Sequence, residues 1–249
     1  MSAKAIIIGA TSGIGKALAI HMAKQGYKLG LTGRREHLLH SLQQQLGTQT
    51  CISVMDIAQP QNAIAQLKYL IEQMQGVDII IINAGIGSCE PDFPLSGELE
   101  TIAVNVTGFT GIANTAYHYF AQQRAGHLVA TSSIMSLRGG PCASYNASKA
   151  YIASYLEGLY CRAYRDGIDI SLTDIRPGFV DTDMAKGNGI FWLAPVDKAA
   201  QQILSAIEKK KRIAYVTKRW QLIALLMRFM PFKGFVRLML GSKSRAKAD

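Results

Sequence analysis

The run Ala5-Ile6-Ile7-Ile8 passes directly into Gly9-Ala10-Thr11-Ser12-Gly13-Ile14-Gly15. A short apolar strand, a glycine-rich turn and an ensuing helical pattern leave few folds open to the chain. Glycine tolerates positive φ and lets backbone N–H groups approach a ligand closely. Such a turn can seat a dinucleotide pyrophosphate at the N-terminus of the helix that follows. A phosphate-binding NTPase loop is the rival, and two positions oppose it. Its first glycine would fall on Ala10, and Ala17 follows Lys16 where a magnesium-binding hydroxyl belongs.

The same alternation continues along the chain. Strands are expected at residues 5–8, 28–32, 50–56, 78–82, 126–132 and 169–175, with a short seventh at 213–216. Helices are expected at 14–25, 35–46, 60–75, 99–123, 145–165 and 196–209. Several strands are near-continuous Ile, Leu and Val runs, the pattern of strands covered on both faces. Crossovers of this length favour right-handed connections. The expected fold is therefore α/β, a doubly wound parallel sheet. It forms a single domain over residues 1–208, with a basic amphipathic C-terminal extension over 209–249.

Tyr145 and Lys149 stand one helical turn apart and share a face. An ammonium beside a phenol is expected to lower the tyrosine pKa. A tyrosine so tuned can exchange a proton with an alcohol or a carbonyl oxygen near neutral pH. Alone, a Tyr-x-x-x-Lys pair is ordinary surface decoration; its weight comes from company. Tyr151, Tyr155, Tyr160 and Tyr164 lack such a lysine and read as packing or interface residues.

That company is extensive. The Gly-x-x-x-Gly-x-Gly spacing of Gly9, Gly13 and Gly15 is followed in order by Asp56, Asn83-Ala84-Gly85 and Asn105 within Val104-Asn105-Val106-Thr107-Gly108. The Ser132-Ser133 pair, Tyr145 with Lys149, and Pro177-Gly178-Phe179-Val180-Asp181-Thr182 come next. Over most of residues 4–184 this series resembles the short-chain dehydrogenase/reductase family. The resemblance implies a Rossmann-like domain that moves a hydride between a nicotinamide and a carbonyl or secondary alcohol. It implies that Gly9, Thr11, Ser12, Gly13, Ile14 and Gly15 form the cofactor turn and that Asp56 lies beside the adenine. Asn83, Ala84 and Gly85 would line the cofactor, with Pro177, Gly178, Val180 and Thr182 near the nicotinamide. Ser133, Tyr145 and Lys149 would be catalytic, Lys149 would also bond the nicotinamide ribose, and Asn105 would hold a water in a proton relay. A homodimer or homotetramer is implied too.

The serine needs a choice. The family's usual spacing, counted back from Tyr145, gives Ser132, whereas aligning the fifth strand gives Ser133. A loop loses a residue more readily than a buried strand slips register. Ser133 is therefore expected to polarise the substrate oxygen.

The second strand ends Leu31-Thr32-Gly33-Arg34-Arg35, with no acid before Glu36. An NAD-specific site commonly places a carboxylate there for the ribose 2′-hydroxyl. Guanidinium groups instead match a phosphate. NADP(H) is expected over NAD(H), with Arg34 as the main 2′-phosphate contact and Arg35 its helper. NADPH favours the reductive direction, on an apolar ketone or aldehyde. The alternative is a non-catalytic NADP(H)-binding sensor or scaffold, membrane-peripheral through its tail.

Charge is unevenly placed. Residues 1–208 hold 15 Lys and Arg against 16 acids, whereas residues 209–249 hold 12 against Asp249 alone. The net charge of +10 thus belongs to the tail, whose 220–230 and 232–240 stretches read as short apolar, basic helices. They suit an anionic membrane surface, a partner subunit or a cover over substrate. No recognition motif accompanies the charge, so nucleic acid is not expected. Beyond Thr182, Met184, Phe191 and Trp192 read as an apolar lid hinged at Gly187 and Gly189, or as a fixed loop. Cys51, Cys89, Cys142 and Cys161 form no C-x-x-C pair and are expected to be reduced thiols. His37 and His40 lack acidic or cysteine partners, so no metal is expected. Met1 to Lys4 are too short for a leader, and no run of ~18 apolar residues is present. A cytoplasmic protein, peripheral to a membrane at most, is the expectation.

Overall fold

The computed structural model describes residues 2–47, 49–87, 92–185 and 192–240. Strands β1 (Lys4–Ile8), β2 (Lys28–Gly33), β3 (Thr50–Val54), β4 (Ile79–Ile82), β5 (Ala125–Thr131), β6 (Asp169–Pro177) and β7 (Ile213–Val216) form one sheet. Its order is β3-β2-β1-β4-β5-β6-β7, and every pairing is parallel. The helices are α1 (Gly13–Lys24), α2 (Glu36–Leu46), α3 (Pro60–Gln73), α4 (Leu95–Ile102), α5 (Phe109–Gln123), α6 (Ala143–Arg165), α7 (Val196–Glu208), α8 (Trp220–Phe229) and α9 (Phe232–Leu240).

The strands build two cores by alternation. Ile6 and Ile8 of β1, Ile80 and Ile82 of β4, and Leu128 and Ala130 of β5 face α3, α5 and α6. Ala5 and Ile7, Ile79 and Ile81, and Val129 face α1, α2 and α7. Successive side chains point to opposite faces, so a continuous apolar run supplies both layers at once. Together these are the doubly wound sheet expected from the pattern.

The chain runs outward from β1 through β2 to β3, then returns to β4 on the other side of β1. Crevices at such a reversal, beyond the C-terminal ends of the strands, are where open α/β sheets bind ligands. The stretch expected as one helix over 99–123 begins earlier, at Leu95 after Pro94, and is broken by a π-helical turn at Ala103–Gly108. A Cβ on Gly108 would lie 2.1 Å from the Ile57 carbonyl oxygen, so glycine lets this turn sit against the β3–α3 connection. β7 carries the basic segment into the sheet before α8 and α9 leave it. Cys51 and Cys161 are free thiols, but Cys142 is disulfide-bonded, contrary to the expectation of reduced thiols throughout.

Candidate active site

The glycine turn is closed by backbone geometry. The N–H groups of Gly9 and Ala10 both donate to the Thr32 carbonyl, at 3.1 and 2.8 Å. Gly9 has φ +88°, and a Cβ there would stand 2.7 Å from the Ala84 backbone. A Cβ on Gly15 would lie 2.0 Å from the Gly9 carbonyl oxygen. No side chain larger than hydrogen fits either position. Ser12 precedes α1 in an extended conformation and gives no side-chain cap. Together with Thr11, Gly13 and Ile14, it opens a helix whose first N–H groups suit an anion.

Arg35, not Arg34, reaches this turn. Its guanidinium donates to Thr11 Oγ1 at 2.9 Å and to Ser12 Oγ at 2.7 Å. Arg34 is exposed. Arg35 is thus the arginine that bonds the turn in this structure. Arg35 is the N-cap residue of α2, with an extended backbone and no side-chain cap bond of its own.

Asn83 joins the turn to the sheet. Its Nδ2 donates to the Gly9 carbonyl at 3.1 Å, and its Oδ1 accepts from Thr131 Oγ1 at 3.2 Å. Ala84 abuts Gly9, as above. Gly85 lies between two polar groups: a Cβ there would be 3.1 Å from Lys149 Nζ and 3.2 Å from Asn105 Oδ1. Asp56 lies just past β3, where its carboxylate accepts from the Ala58 N–H at 3.0 Å. Thr182 meets the turn from the far side, with its methyl 3.1 Å from the Cβ position of Gly13.

At the end of β5 the two serines part. Ser132 turns inward and bonds the Asp174 carboxylate, which also receives Arg176 Nε at 2.6 Å. Burial pushes Asp174 above the usual carboxylate range despite Arg176 and Ser132. Ser133 turns outward, accepts from the Met135 N–H at 3.1 Å and hydrogen-bonds the Tyr145 side chain. One residue's difference on a strand is one face's difference.

Tyr145 and Lys149 occupy the first turns of α6. Lys149 is buried and donates from Nζ to the Thr131 carbonyl at 2.9 Å. Burial lowers its pKa to about 8, although Asp174 acts the other way. Burial raises Tyr145 above the ordinary phenol value, and the bond to Ser133 only partly offsets this. The expected depression of the tyrosine pKa is thus not found, because burial of the phenol outweighs the bond to Ser133. Asn105 sits in the π-helical turn. Its Nδ2 donates to the Ile86 carbonyl at 2.6 Å and to Ser148 Oγ at 3.0 Å, and its Oδ1 accepts from the Ile86 N–H at 2.9 Å. That turn aims Asn105 at the lysine's surroundings, a common use of π geometry.

Residues 3–189 match the model of the short chain dehydrogenase family. The chain belongs to the short-chain dehydrogenase/reductase family. An uncharacterized oxidoreductase of Mycobacterium tuberculosis is 30% identical over 239 residues, covering 92% of this chain and 94% of its own. A short chain dehydrogenase/reductase from Burkholderia phymatum, solved in complex with NAD, superposes with a TM-score of 0.81 at 22% identity. That match covers 90% of this chain and 92% of the other. A short-chain dehydrogenase from Sphingobium yanoikuyae in complex with NADPH gives 0.78 at 21% identity, over 99% and 98% of the two chains.

One wall of this short-chain dehydrogenase/reductase site escaped the sequence. Gly178 follows Pro177 at the end of β6, and a Cβ on it would lie 2.0 Å from the Trp220 ring. Trp220 is buried at the start of α8 and meets Phe179 edge-on at 5.5 Å. With Ala224, Met227 and Phe235 it packs on Ile134, the residue after Ser133. Only tertiary contact reveals this, since no local pattern links residue 220 to residue 178. Val180 is buried and bridges to Ala194. Trp192 stacks edge-on against Trp220 at 6.1 Å, under the Arg219 guanidinium. Gly187, Gly189 and Phe191 of the expected lid lie outside the described residues, and Met184 is exposed. Among the described residues no cluster of metal-binding side chains occurs.

Proposed function

We propose that this chain is an NADP(H)-preferring oxidoreductase that reduces an apolar ketone or aldehyde to the alcohol. The convergence of Ser133, Tyr145 and Lys149 beside the glycine turn carries the reading. The turn of Gly9, Gly13 and Gly15 suits a dinucleotide: its glycines let the loop close tightly against Ala84, Thr182 and the Gly9 carbonyl and open α1 with N–H groups free of bulky side chains. Arg35, held over Thr11 and Ser12, supports preference for a 2′-phosphate. The similar structures include one with NADPH and one with NAD, so the preference for NADP(H) rests on the arginine.

When bound, a reduced nicotinamide supplies the hydride. Ser133 Oγ donates to the substrate oxygen and stabilises the charge that develops on it. Tyr145, its proton retained by burial, gives that proton to the same oxygen. Lys149, on the same helix face, restores the proton to the phenol. Asn105 keeps the Ile86 backbone and α6 in register around that exchange. The aromatic wall of Phe179 and Trp220 suits an apolar substituent on the carbonyl. Exposed Leu99 on α4 and Tyr164 on α6 support association into a homodimer or homotetramer through those helices.

The test is consumption of NADPH against a panel of hydrophobic ketones and aldehydes, with Tyr145→Phe as control. Turnover that disappears in the variant supports the reading. A folded chain that binds NADPH tightly yet turns over no carbonyl would make it a sensor.

A further inference from the structure

Helices α8 and α9 are apolar on two sides. Their inner side is used: Trp220, Ala224, Met227 and Phe235 are buried against the turn after Ser133. Arg138 fastens them there, donating from Nη1 to the Met227 and Met230 carbonyls at 2.8 Å each and lying 5.0 Å over the Phe235 ring. Their outer side is bare. Leu222, Leu225, Leu226 and Phe229 of α8 are 52–74% exposed, and Phe232 and Leu238 of α9 are 70% and 62% exposed. Spacings of three and four residues put the α8 group on one face. Single exposed apolar residues are ordinary, but a continuous stripe calls for a covering.

Charge decides what covers it. Between residues 218 and 238 the chain carries Lys218, Arg219, Arg228, Lys233 and Arg237 and no acid. Two copies meeting through this face would set those cations against their own kind with nothing to neutralise them. An acidic lipid surface accepts both the apolar stripe and its basic rim. No helix among the described residues is long and apolar enough to cross a membrane. The ten residues of α8 span only ~15 Å, half a bilayer core, so the pair would lie flat in the interface.

We propose that the outer face of α8 and α9 docks on an anionic lipid bilayer. The inner face of the same helices walls the Ser133 and Gly178 region, so docking would set that region about one helix diameter, ~10 Å, from the lipid.

The experiment is sedimentation of the full chain with neutral phosphatidylcholine vesicles and with vesicles that also contain phosphatidylglycerol. The chain should pellet with the anionic vesicles only, and release as salt is added. The double variant Leu225→Asp, Phe229→Asp should lose about tenfold or more in partition while keeping its melting temperature, since both side chains face solvent. A chain left in the supernatant with anionic vesicles overturns the proposal. So does equal binding by the double variant. Concentration-dependent self-association abolished by the double variant, without vesicle binding, would assign the face to a second copy instead. None of these readings requires turnover, so they stand or fall apart from the oxidoreductase reading.

Discussion

The Lys149 ammonium lies 5.7 Å from the centroid of the Tyr145 ring, one turn along the same helix. Burial works on the two in opposite directions, raising the phenol and lowering the lysine to about 8. Near neutral pH the tyrosine therefore holds its proton. That is the form able to donate to a carbonyl oxygen, as the proposed reduction requires. The lysine, titrating close to working pH, is placed to exchange a proton with its neighbour.

A buried ammonium is a burden on the fold. Lys149 binds its proton less well in the folded chain, near pH 8, than in the unfolded chain, near 10.5. The penalty is complete below pH 8 and fades as pH rises towards 10.5. Lys149→Met should abolish activity and stabilise the chain by roughly 1–3 kcal/mol at pH 7. Denaturant melts at pH 7 and pH 10 check this, because the gap between the two proteins should narrow at the higher pH.

The two adjacent serines should behave differently. Ser133→Ala should lower kcat by ~10²-fold with little effect on stability. Ser132→Ala strips a hydroxyl from the buried Asp174 carboxylate and should destabilise by about 1–3 kcal/mol while retaining most of kcat. Steady-state kinetics and thermal melts on both variants give the comparison.

Arg35 touches the cofactor turn and Arg34 does not. Arg35→Ser should weaken NADPH by about tenfold or more and leave NADH within about threefold. Arg34→Ser should have the smaller effect. Binding titrations of both coenzymes against both variants measure the difference, and equal losses for the two coenzymes would remove the 2′-phosphate assignment.

His127 is buried in β5 with Nε2 2.8 Å from Thr173 Oγ1. Burial, assisted by Lys210, lowers its pKa from 6.5 to about 4. The unfolded chain takes up this proton first. Stability from this position is intact above pH 6.5 and is lost as pH falls towards 4, by up to ~3 kcal/mol. His127→Gln should flatten that part of the stability profile measured by urea denaturation.

The fold was legible because periodicity alone separates Ile-rich strands from amphipathic helices, and because Gly9 and Gly15 occupy positions that only glycine fits. The serine that bonds Tyr145 in the structure is Ser133, the one that strand alignment selects. What stayed hidden depends on three-dimensional approach. Which of Arg34 and Arg35 bonds Thr11 and Ser12 depends on side-chain reach, and two neighbouring arginines carry no mark of it. The pairing of Trp220 with Gly178 spans 42 residues of sequence without a local signal. The tyrosine pKa went the other way because burial outweighs the bond from Ser133, and only the folded structure tells how much water the phenol loses.

The most direct measurement uses NADPH deuterated at C4 of the nicotinamide with a ketone that the chain reduces. Deuterium should appear on the new carbinol carbon, and product formation should slow by ~10²–10⁴-fold in Tyr145→Phe with coenzyme binding retained. Product without deuterium at that carbon, or a Tyr145→Phe variant as fast as the parent, would contradict the proposed reduction.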